Sequence, residues 1–148
     1  TDNLDYKVVY KGAAGCLIVY DVTERETFEH VLLWLRDVQE QADEHAIIAL
    51  VGNMADLPSM ERSVSTEEGA ALAKDIGTFI GTHARMLFFE TSAKTGQVCL
   101  MGSPKNVSVV FESVAQCILE QLKAHRHETR RDERVDLVAP ASTESCCR

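Results

Sequence analysis

Two short strings carry the polar chemistry of this 148-residue chain, Asn53-Met54-Ala55-Asp56 and Glu90-Thr91-Ser92-Ala93-Lys94. Each closes an apolar run, 46–52 (AIIALVG) and 86–90 (MLFFE), and so would stand at the carboxyl end of a strand. Ligands of open parallel α/β sheets bind there, where two loops at one sheet edge can converge on one molecule. An ionised Asp accepts hydrogen bonds and donates none, so the two oxygens of Asp56 suit a ligand with two adjacent N–H donors. Taken alone, Asn-x-x-Asp after a strand is turn chemistry, because both side chains cap local backbone. Ser92 is equally a turn former. The two strings together, in order and each after a strand, favour a binding site.

The elements around them follow from periodicity. Residues 15–21 (GCLIVYD) form a short apolar run rich in β-branched and aromatic residues, as in a strand covered on both faces. Thr23-x-x-Glu26 has the form of a capping box. After it, Phe28, Val31, Leu32, Leu35, Val38 and Ala42 make one apolar helical stripe, which Trp34 and Arg36 serve rather than a partner. Ser65-x-x-Glu68 is a second capping box, opening a helix through Ala70, Ala71, Leu72, Ala73 and Ile76, with Gly77 as its stop. The last helix carries Val107, Val110, Phe111, Val114, Ile118 and Leu122 on one side. Strand and helix alternate three times, which predicts an α/β fold with a parallel sheet, flanking helices and right-handed crossovers.

Composition narrows the function. The net charge of -8 argues against nucleic acid, whose binding rests on clustered Lys and Arg. Residues 123–148 hold six Lys or Arg against five Asp or Glu, leaving a body of −9 and a tail of +1. Five cysteines without C-x-x-C spacing exclude a zinc site or disulfide framework as the expectation. Cys16 and Cys117 read as small buried hydrophobes, and Cys99 falls in a loop. His30, His45, His83, His125 and His127 are scattered, which suits surface positions rather than metal ligation. No apolar run approaches the ~18 residues of a membrane span, and the first residues lack the apolar core of a signal peptide.

Tyr10-Lys11-Gly12-Ala13 and Leu17-Ile18-Val19-Tyr20-Asp21-Val22-Thr23, together with the two polar strings, resemble the Rab family of small GTPases over residues 9–97 and 106–122. The resemblance implies part of a Ras-like P-loop NTPase G domain over residues 1–126, followed by a disordered tail, 127–148. It implies a guanine nucleotide, GTP or GDP, as ligand. Asp56 would then accept from N1–H and N2–H2 of guanine, a donor pair that adenine lacks. Asn53 would contact the base and tie the loops together, with Ser92 in the second loop. Ala93 would offer its N–H to the guanine carbonyl, and Lys94 would lay its methylenes against the pocket. Met54 replaces the family's Lys; its thioether can still cover a ring face, with weaker nucleotide binding expected.

The phosphate-binding G-x-x-x-x-G-K-[ST] loop and the family's Asp-x-x-Gly motif with its catalytic Gln are absent from these 148 residues. No residue can be assigned catalysis, Mg²⁺ is expected only in a complete protein, and the chain alone is expected not to hydrolyse GTP. The resemblance places the absent parts ahead of Thr1, beginning with a strand whose loss would leave 15–21 with an open edge and the isolated chain poorly stable. Residues 98–105 (VCLMGSPK) and a shorter stretch bracketed by Gly77-Thr78 and Gly81-Thr82 look inserted. The ending Cys146-Cys147-Arg148 resembles twin-cysteine tails that carry two geranylgeranyl groups, and two chains suit stable anchoring. The expected setting is therefore vesicle traffic at the cytoplasmic face of intracellular membranes, with effectors and regulators as partners. The rival class is a non-catalytic, membrane-tethered interaction module that works without nucleotide.

Overall fold

The computed structural model describes residues 11–43, 45–79, 86–100 and 103–135. The chain divides into two compact units, residues 1–118 and 119–148. The first contains β1 (Gly15–Asp21), α1 (Arg25–Glu29), α2 (Val31–Gln41), β2 (Ile47–Asn53), α3 (Thr66–Phe79), β3 (Leu87–Ser92), β4 (Gln97–Leu100), β5 (Ser103–Asn106) and the start of α4 (Ser108–Val135). Five strands form one sheet in the order β1-β2-β3-β4-β5. The β1–β2 and β2–β3 pairs are parallel, with Gly15 beside Ile47 and Ala49 beside Leu87. This is the α/β architecture that the alternating pattern predicts.

The continuous apolar character of β2 has a simple cause. Ile48 and Leu50 enter one core with Ile18, Tyr20, Val31, Leu35, Val38, Ala73 and Ile76. Ile47, Ala49 and Val51 enter a second core with Phe89, Val110 and Val114. A strand covered on both faces has no side on which polar residues are favoured. Cys16 and Cys117 are half-buried, one against each core, and burial raises the Cys16 thiol pKa. Tyr20 packs edge-on to Phe28 at 4.9 Å. Its hydroxyl is buried with no partner among the described residues. Glycine is required around it: a Cβ at Gly69 would stand 2.5 Å from the Tyr20 hydroxyl oxygen and 2.7 Å from the Phe88 ring, and one at Gly52 2.8 Å from the same oxygen.

The helices differ from expectation at their ends. Ser65 and Glu68 form the anticipated capping box, with Glu68 N–H donating to Ser65 Oγ at 3.2 Å and Ser65 N–H to Glu68 Oε2 at 3.0 Å. That backbone bond, and then the Arg25 guanidinium, hold the Glu68 carboxyl below its usual pKa. Thr23-x-x-Glu26 forms no box. The Thr23 N–H and Oγ1–H both donate to Asp21 Oδ1, at 2.8 and 2.6 Å, a local turn that outcompetes capping. Thr27 secures this corner instead, accepting from Asp21 N–H at 3.0 Å and donating to the Glu24 carbonyl at 2.7 Å. The single expected helix is also broken at His30, and Leu32 is exposed rather than part of the buried stripe. In the last helix Val110 and Val114 are buried while Phe111 is exposed. α3 runs through Gly77 to Phe79.

Two further readings are corrected. Cys99 lies not in a loop but in a strand, and Gln97–Leu100 and Ser103–Asn106 pair antiparallel, β4 on β3 and β5 on β4. Gly96, at φ 70, makes the turn into β4, and Pro104 stands in the outermost strand, where a missing N–H costs no ladder bond. The tail boundary at 127 is too early, because the α4 helix continues through Val135. Arg, Glu and His support a helix by propensity without any apolar stripe. Residues 136–148, including Cys146 and Cys147, lie outside the described residues, as do residues 80–85 and Tyr10. No helix among the described residues is long and apolar enough to cross a membrane.

Candidate functional site

The carboxyl ends of β2 and β3 are adjacent because the two strands pair in parallel, with Gly52 beside Glu90. One side chain then joins the loops that follow. Asn53 Oδ1 accepts the backbone N–H of Ala93 at 3.0 Å and the Thr91 hydroxyl at 3.3 Å. Ala55 N–H donates to the Thr91 carbonyl at 2.9 Å. Three bonds thus hold the Asn53–Asp56 loop against the Ser92–Lys94 loop. All six predicted base-binding residues, Asn53, Met54, Asp56, Ser92, Ala93 and Lys94, lie within this junction or one residue from it.

Met54 begins the turn. It adopts φ 68, the one left-handed non-glycine among the described residues, a conformation that costs about 1–2 kcal/mol for an ordinary L-residue. Leu57 N–H closes the turn on the Met54 carbonyl at 3.2 Å. The Met54 side chain is half-buried against the core that contains Leu50 and Val64. Asp56 follows, exposed, and its carboxylate has no partner among the described residues.

Ser92 and Ala93 both have partners within the protein itself. Ser92 is buried and its Oγ accepts the Thr95 N–H at 3.1 Å, closing the second loop. The Ala93 N–H is engaged by Asn53. A purine carbonyl would have to share that donor or take it over. Lys94 is exposed beside it.

A third constellation underlies both loops and has no role in the sequence reading. Glu90 is 3% exposed on β3, and its carboxylate pairs with Arg62 through both guanidinium nitrogens, Nη2 to Oε1 and Nη1 to Oε2. Thr66, the first residue of α3, donates its hydroxyl to Glu90 Oε2 at 2.9 Å. Arg62 Nε donates to the Val64 carbonyl at 3.2 Å. A signal was present in the sequence: a carboxylate directly after Met-Leu-Phe-Phe must be paired if the strand is buried. What periodicity cannot give is the partner, 28 residues away. Arg25, bound to Glu68 at 2.7 Å and to the Ser63 carbonyl at 3.3 Å, ties α1 to the same segment through an ion pair that solvent screens.

The arrangement sets the Asp56 carboxylate, without a described partner, on a loop fastened to the one that carries the Ala93 amide. Among the described residues no cluster of His, Cys, Asp or Glu could hold a metal ion. Nothing in the 148 residues has the form of a phosphate-binding loop. A family model described as Ras family matches residues 5–120, a span that contains both loops and every strand of the sheet. The chain belongs to the Ras family of small GTP-binding proteins.

Proposed function

We propose that this chain is the base-recognising half of a Rab-type switch that cycles between GTP and GDP in vesicle traffic. The observation that carries the reading is the Asn53 carboxamide oxygen, which binds Ala93 and Thr91 together and so brings a partnerless Asp56 carboxylate to the second loop. Asp56 reads N1–H and N2–H2 of guanine, Ala93 meets its carbonyl, and Met54 and Lys94 cover the ring. Ser92 shapes the second loop from beneath. Effectors and exchange factors are the partners, and geranylgeranyl groups on Cys146 and Cys147 hold the protein at the cytoplasmic face of intracellular membranes. Phosphates and Mg²⁺ are held by residues other than these 148, in a longer protein, and the chain alone does not hydrolyse GTP.

The sheet edge supports the need for a longer protein. Among the described residues β1 pairs with β2 alone. The Ala14 carbonyl accepts the Ile47 N–H on the β2 side at 3.0 Å, so alternation turns the N–H and C=O groups of Leu17 and Val19 outward. A groove of about 430 Å³ follows this edge, lined by Leu17, Ile18, Val19, Trp34 and Val38 among others. An additional apolar strand would satisfy those groups and fill the groove.

The test is Asp56→Asn in a protein extended to include a phosphate loop. Exchanging an acceptor for a donor should move preference from GDP toward the xanthine nucleotide by about tenfold or more, the value of one charged hydrogen bond. Unchanged selectivity would remove Asp56 from the site. The engaged Ala93 N–H and the missing phosphate loop favour a second reading, a membrane-tethered interaction module without nucleotide. Failure of the folded, extended protein to bind GDP would select it.

A further inference from the structure

We infer that Arg62 and Glu90 are positioning residues for base recognition, a clamp that sets the spacing of the two loops from below. The inference rests on the guanine reading and adds to it the residues that hold Asp56 and Ala93 in register. Its basis is placement. The segment carrying Asp56 leaves β2 at Asn53 and is fastened again at Arg62; Glu90 lies on β3 three residues before Ala93. The Arg62–Glu90 pair therefore joins the far end of the first loop to the root of the second. Both partners are largely removed from water, with side chains 16% and 4% exposed.

Energetics separate this role from simple stabilisation. Withdrawing two charges from water largely cancels their attraction, so replacing a buried pair by apolar residues of similar volume is often neutral or stabilising. What the apolar pair cannot supply is direction. The guanidinium fork fixes the carboxylate in a plane, and here the same Arg62 also holds the Val64 carbonyl while Thr66 holds the carboxylate from the start of α3. An ion pair that adds little net stability yet is fully hydrogen-bonded suits a device for geometry.

The experiment uses ¹⁵N-labelled full chain and the double variant Arg62→Met/Glu90→Leu. Melting temperature should stay close to that of the parent, while the amides of Ala93 and Ala55 exchange about tenfold faster relative to Leu50, as expected when a junction loses roughly one hydrogen bond's worth of constraint. Arg62→Lys, which keeps the charge and loses the fork, should shift the same two amides in the same direction and serves if the double variant does not fold. Parent-like exchange at Ala93 in the folded variants overturns the clamp. A titration of the parent with millimolar GMP and AMP reads the other premise: GMP-specific shifts at Asp56 and Ala93 support base recognition. Identical responses to both nucleotides overturn the guanine reading and with it the clamp's purpose, whatever the exchange rates.

Discussion

The carboxyl ends of β2 and β3 and the outer edge of β1 belong to the same sheet and are held in opposite ways. At the strand ends, Asn53, Thr91, Ala93, Arg62, Glu90 and Thr66 satisfy one another, and the described carboxylate left over is Asp56. Along β1, backbone groups face outward beside an apolar groove, with Val19 48% exposed. At the strand ends, constraint fixes the geometry of the two loops that follow. Along β1, the described residues leave one row of backbone groups unpaired.

The comparison predicts where substitutions hurt most. Glu90→Ala leaves the Arg62 guanidinium buried without its carboxylate and should cost about 3–5 kcal/mol, read as a lower urea midpoint. A change of under 1 kcal/mol would mean that the strand ends are not held by this pair. Gly69→Ala presses a methyl into Tyr20 and Phe88 and should cost about 1–3 kcal/mol. Tyr20→Phe removes a partnerless hydroxyl at no cost or a small gain.

Tyr20 also gives a pH signature. Burial, and next the negative charge of Glu90, push its pKa up to about 12 from an ordinary 10.0. The unfolded chain therefore loses this proton first, and stability should fall as pH rises from 10 toward 12. Tyr20→Phe should flatten that decline in denaturant titrations; an unaltered decline would assign it to other groups. At the open edge, Val19→Lys should suppress self-association in sedimentation or light scattering with little change in melting temperature, since a charge blunts strand-to-strand pairing. The smallest effect belongs to Asp56→Asn: an exposed side chain without a protein partner should change stability by within about 0.5 kcal/mol, and a larger loss would reveal a structural duty for the carboxylate.

Much of this was legible before any coordinates. Apolar runs and helical stripes placed the three parallel strands and the helices between them, because burial on one face or two leaves a period in the chain. The polar strings at the strand ends were legible for the same reason. The antiparallel pair 97–100 and 103–106 was not, since its strands lack alternation and include a proline that only an outer strand tolerates. The Thr23 box failed because Asp21, two residues away, offered a nearer acceptor. The polar helix beyond His127 left no stripe to read.

Sequence alone determined the order of the three parallel strands, their burial and the candidate carboxylate, all of them consequences of local pattern and side-chain chemistry. Tertiary structure alone decided which partners met. It spent the Ala93 amide on Asn53, found Arg62 for Glu90 and, among the described residues, left one side of β1 without a neighbouring strand. Those outcomes depend on strand register and on contacts between residues tens of positions apart, and no local period encodes them.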